Sequence, residues 1–248
     1  MQHIYVYDGS YLALLSLILE LIKRKIKPDN IKLENYEVTL FDEVINLQIE
    51  YDPNILKKMH KSFGRYATNA MYYVFLSEEE NKELLLYYFF LNALKYHKNI
   101  GYKRNLKCVS EVLRISQYVM HEGHKMKGFL RFKELENKVL YAEMEPTNDV
   151  IMLVSEHFQK RLKNEYFIIK DVGRGILSIY DKQKFVIVPE DNFILSTSVL
   201  SDEEKKMEQL WKIFYRTIGI EARKNDRCRM NFMPKKYWKH IIEMEDEL

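Results

Sequence analysis

The densest set of groups able to move a proton or hold a phosphate is "HEGHKMKGFLRFKE", residues 121–134, where His121, Glu122, His124, Lys125, Lys127, Arg131 and Lys133 crowd together. An imidazole titrates near neutrality, so His124, oriented by Glu122 or by the more distant Glu143, could serve as a general acid or base. Equally, His124 could do no more than bond a backbone carbonyl. Alternation along "MKGFLRF" predicts a strand with Lys127, Phe129 and Arg131 on one face, the cations for phosphates and the ring for a base. The competing use of that face is a solvated one, with its cations paired to Glu143 and Glu145 of "YAEMEP". Those two glutamates also share a face of their own strand. A paired-carboxylate site is therefore possible there, although no Asp/His cluster accompanies it.

A second concentration of charge and rings is "ARKNDRCRMNFMPKKYWKHI", residues 222–241. Its cations Arg223, Lys224, Arg227, Arg229, Lys235, Lys236 and Lys239 suit a polyanion. Phe232, Met233, Tyr237 and Trp238 suit a segment that packs onto the sheet while the cations reach outward. Both uses can coexist. His157 and Arg161 of "EHFQKRL" lie four apart, on one helical face, where Arg161 can reach a phosphate. The Gly173-Arg174-Gly175 turn has no helix after it, so it lacks the geometry of a nucleotide loop. Walker A, GxSxG, HExxH and zinc-deaminase patterns do not occur.

Composition sets the frame for these groups. The chain has 248 residues, 30% of them charged, with a formal net charge of +3 and few Gly or Pro, as expected of a globular protein with a sizeable core. The excess of cations falls after residue 124 and reverses in the final "EMEDEL". Cys108 and Cys228 are the two cysteines, without CxxC spacing, which predicts a reduced cytoplasm and no cysteine-built metal centre. The apolar run 11–22 follows Asp8 and contains Glu20, so neither a signal peptide nor a membrane span is expected.

The positioning elements are predicted as follows. A strand at 3–7 leads through Asp8-Gly9-Ser10 into a Ser10-capped helix at 11–25. One or two short strands occupy 34–51, and Asp52-Pro53 opens a helical stretch. Its helices are 54–63, 66–76, a Ser77-capped helix to about 98, and 104–120. Tyrosines recur through this stretch at helical spacing and fit either a core or base stacking. From residue 124 the short β-rich runs "MKGFLRFKEL", "KVLYAEMEP", "YFIIKDV", "GILSIYD" and "KFVIVP" predict an antiparallel sheet, interrupted by a helix at about 149–163. Ser201 caps an amphipathic helix with Met207, Leu210, Trp211, Phe214 and Ile218 on one face. The expected class is α+β: residues 1–123 mainly helical with a small β element, residues 124–248 an antiparallel sheet flanked by helices.

Four blocks, "EGHKMKGFLRF", "YAEMEP", "SEHFQKRL" and "LWKIFYRTIGIEARKNDRCRMNFMPKKYWKHI", with the opening "YVYDGSYLALLSLILE", resemble a bacterial family of DNA-metabolism proteins. Its C-terminal module is a catalogued domain of unknown function, DUF4130. The resemblance covers most of the chain. It implies a companion of a radical SAM protein in DNA modification or repair; a similar module is found fused to uracil-DNA-glycosylase-like domains. This chain has no CxxxCxxC triad, so iron–sulfur chemistry would belong to the partner. No metal or cofactor of its own is expected.

The function expected from residues and resemblance together is a DNA-binding accessory component of such a system. Its DNA-binding candidates are Lys125, Lys127, Phe129, Arg131, Arg161, Arg223, Lys224, Arg227, Arg229, Lys235, Lys236, Tyr237, Trp238 and Lys239. The alternatives are a nucleic-acid-processing enzyme using His124, Glu122 and Glu143, and a protein scaffold without DNA affinity.

Overall fold

The computed structural model describes residues 2–192 and 200–247. The chain divides into two compact units, Met1–Met120 and His121–Leu248.

In the first unit, β1 (Gln2–Tyr7) runs parallel to β2 (Asn30–Leu33) on one side and to β3 (Asp42–Ile45) on the other. Strand β1 leads into α1 (Tyr11–Lys23) through Gly9, whose φ of 92° lies in the left-handed region that a side chain would strain. The Ser10 hydroxyl caps α1 by accepting from the Ala13 N–H at 3.2 Å. Leu14, Leu15, Leu17, Ile18 and Leu21 are all buried, so the apolar run forms a core helix rather than a surface one.

The helical stretch is α2 (Ile55–Phe75), α3 (Lys82–Tyr96) and α4 (Lys107–Phe129). The two helices expected on either side of residue 64 are present within the α2 span, which is broken at Gly64, whose φ of 81° and ψ of 159° are not helical. Ser77 is not the cap of α3. Its buried hydroxyl donates to the Val74 carbonyl at 2.6 Å, and the helix starts five residues later. The tyrosines split in their use: Tyr87 is buried with its hydroxyl on the Ile26 carbonyl at 2.8 Å, whereas Tyr66, Tyr102 and Tyr118 are exposed.

The second unit holds a five-stranded sheet in the order β4 (Lys133–Glu134), β5 (Leu140–Met144), β6 (Phe167–Asp171), β7 (Ile176–Tyr180) and β8 (Phe185–Pro189). It is mixed, not purely antiparallel as expected, because β5 and β6 pair in parallel. The cause is α5 (Ile151–Arg161), a helical crossover that returns the chain to the end at which β5 began. Helix α5 covers the face bearing Phe167, Ile169 and Tyr180, and the buried Ser155 hydroxyl bonds the Ser178 hydroxyl across that contact at 2.7 Å. On the other face Leu135, Tyr141, Ile168 and Leu177 form a second apolar cluster.

The expected strand "MKGFLRF" is wrong in type, since α4 continues to Phe129. Val112, Ile115, Val119, Glu122 and Met126 are among the buried positions, a spacing of three and four that outranks the accidental alternation after residue 126. Lys127 and Phe129 are therefore helical, and Arg131 lies in the loop before β4. After β8 come α6 (Asp202–Ile218), α7 (Asp226–Phe232) and the 3-10 segments Lys235–His240 and Ile242–Glu247.

Candidate functional site

Glu122 lies on the buried face of α4, and its carboxylate is surrounded by donors. It accepts from the Thr147 N–H at 2.9 Å, the Asn148 N–H at 2.8 Å, the Asn148 amide at 2.5 Å, the Tyr237 hydroxyl at 2.6 Å and the Lys236 ammonium at 3.1 Å. Burial alone would raise its pKa. The bonds from Tyr237, Thr147 and Asn148 outweigh burial and hold the carboxyl at about 2. A group ionised that firmly cannot trade protons near neutrality, so Glu122 is a charge anchor. Arg174 grips the same loop from the opposite side, donating to the Thr147 carbonyl at 2.6 Å, the Pro146 carbonyl at 3.2 Å and the buried Asp171 carboxylate at 3.1 Å.

The 235–241 part of the second basic segment is a lock on this anchor. Tyr237 and Trp238 are buried, with the Trp238 indole N–H on the Met233 carbonyl at 2.8 Å and the Tyr237 ring 5.7 Å from that of Phe129. Arg229 and Lys235 lie against the Trp238 ring, and Lys239 is ion-paired with Glu145. Phe232 is not an anchor as expected. It is 74% exposed, because α7 turns it to solvent.

Beside the lock, Arg131, Lys133, Tyr141, Glu143, Lys239 and His240 line a cavity of about 240 Å³. Glu143 accepts from the Tyr141 hydroxyl at 2.7 Å, and its carboxylate stands 3.8 Å from His240 Nδ1. His240 Nε2 lies 3.7 Å from Glu145. Burial, helped by the Lys239 cation, pushes the His240 pKa down and keeps the ring neutral against the pull of Glu143. Arg131 and Lys133 are committed to Glu204 and Glu208 of α6 at 3.0 and 3.1 Å. The expected pairing of Glu143 and Glu145 with Lys127 and Arg131 is thus replaced by pairing with Tyr141, Lys239 and His240.

The α4–α5 surface is different. His124 and Lys127 from α4 come together there with His157, Lys160 and Arg161 from α5. Burial lowers the His157 pKa, and Lys127, Arg161, His124 and Lys160 lower it further. Gly123 of α4 faces Leu153 and Val150, and a methyl at that position would meet them at ordinary contact distances of 3.4 and 3.7 Å. Lys125, Lys127, Lys160 and Arg161 have no ion-pair partner among the described residues.

The remaining predicted cations lie around α6 and α7, where Tyr215, Ile218, Ile220, Arg223, Lys224 and Arg229 help to line a cavity of about 680 Å³. Arg229 pairs with Asp226 at 2.9 Å, while Arg223, Lys224 and Arg227 are exposed without an ion-pair partner among the described residues. Three site residues escaped the sequence reasoning. Lys160 carried a signal, being three positions from His157 on the same helical face. Tyr141 carried one too, standing two residues from Glu143 on the same face of β5, whereas His240 carried none, because its approach to Glu143 joins the chain end to β5. Among the described residues no His, Cys, Asp and Glu group could hold a metal ion, and no helix is long and apolar enough to cross a membrane.

The family model described as a domain of unknown function, DUF4130, matches residues 80–243, more than half of the chain. No curated protein and no solved structure matches it.

Proposed function

Because the chain belongs to the DUF4130 family, whose function is unknown, we propose from its own side chains that it is a DNA-binding accessory component of a bacterial DNA repair or modification system. The observation that carries this reading is the α4–α5 patch, where Lys127, Lys160 and Arg161 converge on His157 beside His124 and have no ion-pair partner among the described residues. Cations without a carboxylate opposite them keep their full attraction for phosphate, and replacing counterions on the nucleic acid is what drives such binding. The partner in this reading is a radical SAM protein that supplies the iron–sulfur chemistry, supported by the sequence resemblance alone. Fluorescence anisotropy with single- and double-stranded DNA across a salt series tests the binding. Micromolar affinity that weakens with salt is expected, and no binding to any DNA at 50 mM salt would end the reading.

A second reading, a nucleic-acid-processing enzyme, is favoured by the cavity in which Glu143, Tyr141 and His240 meet. It moves the acid–base role from His124 and Glu122 to a neutral imidazole beside a carboxylate. Turnover of modified or damaged DNA that disappears in His240→Ala, while folding is kept, is its expected signature.

A further inference from the structure

We infer that α6 is the seam of a homodimer, on which α6 of a second copy of this chain lies antiparallel. The helix is held along one side and, through the Trp211 indole N–H on the Glu243 carboxylate at 3.0 Å, at one point of its apolar stripe, most of which stays open. Ser201 caps it by accepting from the Glu204 N–H at 3.1 Å, and Glu204 and Glu208 tie it to Arg131 and Lys133. No residue of α6 is buried, however.

Met207, Leu210, Trp211, Phe214 and Ile218 recur at spacings of three and four, so they form one stripe along the helix. Their exposures are 56, 59, 38, 50 and 57%. With Ile220 just beyond, the stripe leaves on the order of 600 Å² open per copy, at the upper end for a patch left bare on a monomer and close to the ~800 Å² per partner of a standard interface.

Charge selects the occupant and its direction. Glu203 lies four residues before Met207, at the start of the stripe; it is exposed, with only Lys138 as near as 3.7 Å. Arg223 and Lys224 lie beyond the other end, exposed and without an ion-pair partner among the described residues. An antiparallel second copy brings Glu203 of each chain to Arg223 and Lys224 of the other, twice over, as a two-fold interface requires. A parallel copy would set like charge against like. A DNA strand would meet Asp202 and Glu203 at one end and mainly aliphatic side chains between, so a protein face fits the stripe better.

Sedimentation velocity on the full chain, from about 1 to 100 μM, tests this. A monomer–dimer equilibrium is expected, with Phe214→Asp and Leu210→Asp each weakening association at least about 100-fold. Both side chains are half exposed, so circular dichroism and Tm should stay unchanged; should one variant misfold, the other carries the test. Glu203→Lys should weaken the dimer about tenfold, and adding Arg223→Glu and Lys224→Glu should restore it. A monomer at every concentration, including one that binds some other protein through α6, would overturn the inference. So would a dimer indifferent to Phe214→Asp and Leu210→Asp.

Discussion

The α4–α5 patch and the 222–241 segment are both basic, yet four of the seven cations in 222–241 are engaged, Arg223, Lys224 and Arg227 being the exceptions. In 222–241, Lys236 ends on Glu122 and Thr147, Lys239 on Glu145, and Arg229 on Asp226 and the Trp238 ring. At α4–α5, Lys127, Lys160 and Arg161 lie near His157 and have no ion-pair partner among the described residues. The density of Lys and Arg along a sequence is thus a poor guide to a polyanion surface; what matters is how many of them have no acid opposite. The segment richest in cations is mostly a lock, and the sparser pair of helices is the surface we propose for DNA.

The largest test of that contrast is to remove the lock. Trp238→Ala deletes a buried indole and its bond to Met233, so a loss of about 3–5 kcal/mol in unfolding free energy is expected from denaturant titration. Next is Glu122→Gln. The folded carboxyl is held at about 2, below its ordinary 4.5, so its contribution is fully present above pH 4.5 and lost as the pH falls from there toward 2. A loss of about 3 kcal/mol at pH 7 is expected, and stability of the variant should vary less with pH over that window.

Smaller effects belong to the surface. The double variant Lys127→Ala, Arg161→Ala should bind DNA about tenfold more weakly at 100 mM salt, with a salt slope shallower by about 2 and unchanged Tm. Smallest of all is Arg223→Ala with Lys224→Ala, for which less than about a twofold change in DNA affinity is expected by anisotropy.

What could be read in the chain follows from the range of each interaction. Strands β5 to β8 were legible, because alternation and the turns at 173–175 and 182–183 are local. The parallel pairing of β5 with β6 was not, since it depends on where a helical crossover delivers the chain. "MKGFLRF" misled because a seven-residue window fits either period, and only the buried positions from Val112 to Met126 decide for the helix. At the site, His157 and Arg161 declared a shared helical face, but their meeting with His124 and Lys127 depends on how α4 and α5 pack, which no local window of sequence shows. Glu122 looked like half of a catalytic pair, and only its five donors, two of them from the far end of the chain, make it an anchor.

The central claim is that the α4–α5 cations grip DNA. Its most direct test is the salt dependence of DNA affinity for the wild type beside Lys127→Glu, Lys160→Glu, Arg161→Glu. If those three side chains each meet a phosphate, the wild-type slope on double-stranded DNA is about −2.7, an affinity loss of about 40-fold between 50 and 200 mM salt, and the triple variant shows no measurable binding. A folded triple variant that binds with the wild-type affinity and slope would contradict the account.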